Sequence, residues 1–172
     1  MNSKLKTQNS ELAIVALGSN LGGSQKIILD AMARLQTFSD QPILKSSLWQ
    51  TSPVDCPPDS PPFFNAVAGL VPRKSETPES LLEKLQSLEK ESGRRSKKIL
   101  NEPRPLDLDL IAFGTEVRNT PELILPHPRA HLRRFVLQPL SEMAPDLILP
   151  GQGKSIAQLL AELASDEILK WV

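Results

Sequence analysis

The stretch Pro103–Gly114, PRPLDLDLIAFG, constrains the fold of this chain more than any other. Successive side chains of a strand point to opposite faces. As a strand, it lines one face with Leu106, Leu108 and Leu110. The other face carries Asp107 and Asp109, continued by Ile111 and Phe113. The two carboxylates then stand about 6.5–7 Å apart at Cα, at the edge of an otherwise covered surface. Repulsion and lost hydration both oppose that placement. A positive charge is therefore expected beside them.

The rest of the chain reads as alternating strands and helices. Leu12 to Leu17, LAIVAL, is a short apolar run ended by GSNLGGS, as in a buried strand. Ser24 is placed to cap the following helix, in which Ile28, Met32 and Leu35 recur at helical spacing. PILKSSLWQT reads as a second strand and FFNAVAGLV as a third. Between them Ser52–Pro62 holds five prolines and cannot join a sheet. In TPESLLEKLQSLEKES, Thr77 can cap a helix, Pro78 suits its first turn, and Leu81, Leu82, Leu85 and Leu88 form its apolar stripe. Gly93 stops it. GTEV after the Asp strand reads as a hairpin turn, PELILPHP as an extended piece, and RRFVLQPLSEMA as a helix shortened or kinked by Pro139. SIAQLLAELAS is a last amphipathic helix. The order β-α-β-β-α-β predicts an α+β class: a ferredoxin-like core with a mostly antiparallel sheet, helices packed on it, and a C-terminal helical extension. Residues 1–10 read as a disordered tail and 11–172 as a single domain.

Twenty basic residues balance twenty acidic ones, which argues against a nonspecific nucleic-acid coat or a membrane-surface protein. No apolar run approaches the roughly 20 residues of a membrane span, and the N-terminus lacks a signal-peptide core. A cytoplasmic location is expected. Cys56 is the only cysteine, so neither an internal disulfide nor a cysteine zinc cluster is available.

Two readings of Asp107 and Asp109 are open from spacing alone. One is a solvated edge strand. The other is a seat for one or two hard cations such as Mg²⁺, which accept a few carboxylates and keep positions for phosphate oxygens. The upstream run Arg94, Arg95, Lys97 and Lys98 follows a helix end, where cations favour the dipole. It also suits a basic loop closing over a polyphosphate, with Arg104 adding a bidentate donor. GSNLGG lacks the Gly-Lys-Ser/Thr ending of a P-loop. His127, held between Pro126 and Pro128, suits phosphate contact. Of Phe63 and Phe64, one faces the core and the other is free to stack on a ring. RNA binding on the sheet is a competing reading, but such sheets display aromatics, and this chain has five Phe, two Trp and no Tyr.

Taken together, ALGSNLGG, FFNAV, NEPRPLDLDLIAFG and LPHPRAHLRRFVLQPLSEMAPD resemble the 6-hydroxymethyl-7,8-dihydropterin pyrophosphokinase family of folate biosynthesis. The resemblance implies a monomeric enzyme that transfers the β,γ-diphosphate of ATP to a pterin hydroxymethyl group and releases AMP. It implies two Mg²⁺ ions, on Asp107 and Asp109. It implies phosphate handling and catalysis by Arg94 and Arg104 together with those aspartates. Gln86, Glu89, Lys97, Leu110, His127 and Arg133 fall at its ATP-binding positions. Thr51, Pro53, Val54, Phe63, Asn65 and Phe135 fall at its pterin positions, with the two Phe rings as the sandwich and Asn65 reading the polar edge. Where many members carry Arg-x-Arg, this chain has Arg94-Arg95-Ser96, with Lys97 as the stand-in; where many carry Trp-Gly it has Asn101-Glu102; and Pro128 follows His127 where an aromatic is often found.

Overall fold

The computed structural model describes residues 11–21, 23–51, 57–93 and 105–164, and the backbone of 168–170. Its centre is a sheet of β1 (Ala13–Ser19), β2 (Leu44–Lys45), β3 (Trp49–Thr51), β4 (Phe63–Leu70), β5 (Asp107–Phe113) and β8 (Ile168–Lys170). The order is β5-β1-β4-β3-β8, β2 also pairs with β4, and every pairing is antiparallel. β6 (Arg118–Asn119) and β7 (Ile124–Leu125) form a separate hairpin. The helices are α1 (Ser24–Leu35), α2 (Pro78–Glu91), α3 (Arg134–Met143) and α4 (Ile156–Glu162).

Both faces of the sheet are covered. On one, Ala13, Val15, Leu17, Ala66, Ala68 and Leu70 meet Leu106, Leu108 and Leu110 under α1 and α2, which contribute Ile28, Leu35, Leu81 and Leu85. On the other, Ile14, Ala16, Val67 and Ile111 are covered by Val136, Leu137 and Leu140 of α3 and by Ile156 and Leu159 of α4. The α2 signals act as expected. Thr77 Oγ1 accepts from the Ser80 N–H, Ser80 returns a bond to the Thr77 N–H, and Pro78 takes the first turn. Ser155 and Gln158 build the same box on α4. Pro139 lies within α3, as read.

Four sequence expectations are corrected. Ser24 does not cap α1: Gly23, at φ 78°, holds the cap position, and Ser24 Oγ instead accepts from Ser19 Oγ and donates to the Leu21 carbonyl. GTEV turns the chain but joins no hairpin, since β6 pairs with β7 rather than β5. A further strand, β8, adds to β3 after α4. Finally, Phe113 does not continue the aspartate face. Ala112 pairs with Ile14 and Leu110 with Val15, so Ile111 is an extra residue, a β-bulge. Alternation resets there: Ile111 stays on the aspartate face, while Phe113 packs on the face of Leu108 and Leu110.

Candidate active site

Cross-strand register assembles the site. Trp49 pairs with Asn65, Asn65 with Gly18, and Gly18 with Asp107, so one row crosses β3, β4, β1 and β5. Strand spacing of about 4.8 Å puts Asn65 and Asp107 roughly 10 Å apart, with Gly18 between them. Two residues further along β5, Asp109 pairs with Ala16. Thr51 pairs with Phe63 at the other end. All these residues share the α3 face. α3 covers that face at Ala16, and in the next row Gly18 itself carries no side chain.

The amide of Asn65, 5% exposed, donates through Nδ2 to Thr51 Oγ1 at 2.8 Å. A Cβ at Gly18 would stand 3.2 Å from Asn65 Oδ1, so glycine is what leaves room for this amide. Phe63 is half-buried beside it, whereas Phe64 turns to the opposite core. Phe135, half-buried on α3, lies under the Arg133 guanidinium, 5.4 Å from ring centroid to Cζ.

The positive group expected beside the aspartates is Arg133, whose Nη1 lies 3.6 Å from Asp109 Oδ2. Burial pushes this guanidinium below its ordinary range, and Asp109 pulls it back. His127 is held at about 4 by burial first, then by Arg133 and Arg129, against the opposing pull of Asp107. Its backbone N–H donates to the Ile111 carbonyl at 2.8 Å, and its Nδ1 accepts from the Arg129 N–H at 3.2 Å. The neutral ring therefore keeps its proton on Nε2 and offers it outward as a donor.

β5 is an edge strand, and α2 caps part of that edge. Glu89, 6% exposed, accepts the Leu108 N–H through Oε1 at 2.7 Å, between the two aspartates. Leu110 has the same register parity, so its backbone groups face the same edge. Gln86 lies exposed on α2, one turn before Glu89. The structure thus brings together Asp107, Asp109, His127 and Arg133, and separately Thr51, Phe63 and Asn65. Arg94, Lys97 and Arg104, and Pro53 and Val54, lie outside the described residues. Sequence reading missed Gly18, Arg129, and the pair Trp49–Glu142. Only their three-dimensional neighbours mark them.

Among the described residues, no helix is long and apolar enough to cross a membrane.

Residues 14–145 match the family described as 7,8-dihydro-6-hydroxymethylpterin-pyrophosphokinase. The chain is 41% identical over 150 residues to the 2-amino-4-hydroxy-6-hydroxymethyldihydropteridine pyrophosphokinase of Pseudomonas aeruginosa, covering 86% of this chain and 88% of that one. It is 35% identical over 158 residues to the protein of that name from Haemophilus influenzae, covering 92% and 96%. It also matches the folic acid synthesis protein fol1 of Pneumocystis carinii at 39% identity over 97% of this chain, but spans only 22% of that longer protein. A crystal structure of an HPPK-DHPS in complex with substrates superposes with a TM-score of 0.68 at 12% identity, over 87% of this chain and 42% of that one, a likeness of fold. Register, charge pairing and these matches agree, and the chain belongs to the 7,8-dihydro-6-hydroxymethylpterin-pyrophosphokinase family, the ATP-dependent enzymes of folate biosynthesis.

Proposed function

We propose the following division of labour for the transfer of the β,γ-diphosphate from ATP to the hydroxymethyl group of the dihydropterin. The flat pterin lies between Phe63 and Phe135, and Asn65, oriented by Thr51, reads its polar edge. The Gly18 gap is the passage from that slot to the carboxylates. The cross-strand row Asn65–Gly18–Asp107 carries this reading, because it sets a ring reader and a carboxylate about 10 Å apart across a side-chain-free strand position.

On the β5 side, Arg133 and the Nε2–H of His127 face the nucleotide phosphates, and the free edge at Leu110 offers backbone groups to its base. Gln86 and Glu89 border that region, with Glu89 holding the Asp strand in place. Arg94, Arg104 and Lys97 are assigned to the phosphates by their position in the family pattern, as are Pro53 and Val54 to the pterin.

Asp107 and Asp109 fit a divalent metal. They are hard oxygen donors on one face, both half-exposed. Two Mg²⁺ ions bound there would neutralise charge on both sides of the cleaved bond. The pterin hydroxyl oxygen attacks the β-phosphorus, the bond from that phosphorus to the α-phosphate oxygen breaks, and AMP departs. The hydroxyl proton passes to Asp107 or Asp109. Positioning and electrostatics supply most of the acceleration in such a transfer.

We further read the core as ferredoxin-like. Its support is the sheet order, in which β5, β1, β4 and β3 stand as the fourth, first, third and second strands of a βαββαβ unit. One domain over 11–172 is supported by one central sheet whose two faces are covered by helices of the same chain. We read the protein as a cytoplasmic monomer acting on two small molecules, ATP and the hydroxymethyl dihydropterin.

The test is incubation with ATP, Mg²⁺ and the hydroxymethyl dihydropterin. AMP is the expected product, lost in Asp107→Ala. Release of ADP, or an Asp107→Ala variant as active as wild type, would refute the assignment.

A further inference from the structure

One polar cluster outside the residues assigned above joins α3 to the strand beside Asn65. The Glu142 carboxylate accepts from the Trp49 indole Nε1 at 2.5 Å through Oε1. Through Oε2 it accepts from the Ser47 hydroxyl at 2.9 Å and from the Ser47 N–H at 3.2 Å. Trp49 is only 9% exposed and is the cross-strand partner of Asn65, on the same face. Such partners have Cβ atoms about 4.5–5.5 Å apart. The indole therefore forms the wall behind the amide.

The other end of the cluster points to the opposite side of the slot. Glu142 and Phe135 are seven residues apart on α3, two turns along one stripe, so roughly 10 Å separates them along the axis. Pro139 lies between them and has no N–H to give to the Phe135 carbonyl four residues earlier. With that rung missing, the Phe135 turn depends more on contacts made by the rest of the helix. Glu142 accepts three hydrogen bonds from the segment Ser47–Trp49 that leads into Thr51.

We propose that Glu142 is a positioning residue for the pterin slot: through Trp49 and Ser47 it sets the spacing between β3–β4, bearing Thr51, Phe63 and Asn65, and α3, bearing Phe135. The inference rests on the pterin-site reading above. The carboxylate touches no reacting atom. Its two oxygens serve three donors, and charge-assisted bonds of this kind hold geometry better than neutral ones.

The test uses the full-length enzyme and separate equilibrium titrations with hydroxymethyl dihydropterin and with ATP–Mg²⁺, alongside KM for each. Glu142→Gln retains the side chain's size but has one acceptor oxygen, so Trp49 Nε1 and the Ser47 N–H cannot both be served. The pterin Kd should rise about three- to tenfold, the effect of losing one hydrogen bond to a charged group. ATP affinity should stay within about twofold. Trp49→Phe removes only the indole donor and should reproduce the pterin-specific loss. The double variant should be no worse than the poorer single, since both act through one contact. A clamp serving stability alone would lower Tm and leave the pterin Kd of the folded enzyme unchanged. That result, or equal loss of both substrates, overturns the proposal. Asn65→Ala is the control. If it weakens pterin binding while Glu142→Gln does not, the clamp alone fails; if Asn65→Ala binds pterin normally, the pterin-site reading beneath it fails as well.

Discussion

Replacing Gly18 with Ala is expected to weaken pterin binding while leaving the fold intact. The added Cβ would lie 3.2 Å from Asn65 Oδ1 and 4.0 Å from the Phe64 carbonyl oxygen, where ordinary contact runs from 3.4 to 4 Å. Only the amide must move, by roughly 0.2–0.8 Å given the usual range of such contacts. Its Nδ2 now sits 2.8 Å from Thr51 Oγ1. A shift of about half an ångström carries that bond to about 3.3 Å, past the normal range for N–H···O. The loss is about 0.5–1.5 kcal/mol for the internal bond, with a similar amount for a ligand contact that is now misaimed. Together these come to about 1–3 kcal/mol, so the pterin Kd should rise about 5–150-fold. The backbone effect has the opposite sign, since Ala in a strand interior is favoured over Gly by about 0.5–1 kcal/mol. Set against the lost internal bond, the net is about −1 to +0.5 kcal/mol, so Tm should stay within about 4 °C of wild type for a chain of this size. Fluorescence titration with the pterin, a parallel ATP–Mg²⁺ titration and a thermal melt separate these effects. A pterin Kd within about twofold of wild type, or equal weakening of both substrates, would show that Asn65 is not the reader and that this gap is not the passage.

Three further outcomes follow from particular contacts. Glu89→Ala leaves the buried Leu108 N–H without its carboxylate acceptor; it should cost about 2 kcal/mol and about 4–8 °C in Tm, and slow turnover by loosening the strand between Asp107 and Asp109. His127 should titrate near 4 by NMR in the free enzyme, and higher once nucleotide phosphates stand beside it and favour the imidazolium; an unshifted value of 6.5 would contradict its burial beside Arg133. Because the fold holds this ring neutral, its contribution to stability is complete above pH 6.5 and erodes as pH falls from there toward about 4. Thr77→Ala removes the α2 cap and should lower stability by about 1 kcal/mol in denaturant melts, with both substrate affinities unchanged.

Much of this architecture is local, and local features are what a sequence displays. The start of α2 is legible because Thr77, Pro78 and the Leu81–Leu85–Leu88 stripe all act within a few turns of one another. The aspartate face is legible because alternation has a period of two, and it holds as far as Leu110. The positive partner of Asp109 is anticipated from electrostatics alone, and Arg133 is 24 residues further along the chain. The bulge at Ile111 is not legible. It depends on where β1 breaks register, which no residue of β5 announces. Nor does Glu142 signal its tie to Trp49 across more than ninety residues, because an exposed helix glutamate has the same sequence appearance whether or not it binds anything. Serine commonly caps helices, and Ser24 stands where a cap is expected. Its hydroxyl found Ser19 instead, and Gly23 took the left-handed position.

The extra residue in β5 divides that strand into two segments of opposite phase. Upstream, an odd number means the carboxylate side; downstream, it means the side beneath α1 and α2. Deleting Ile111 would therefore mend the ladder rather than break it: Leu110 would still face Val15, Ala112 would face Ile14 and Phe113 would face Ala13, so both segments keep their sides. What is lost is one apolar side chain beneath α3 and the carbonyl that accepts the His127 N–H. The extra residue serves the neighbouring loop more than the strand that contains it, and its removal should spare the sheet while loosening His127.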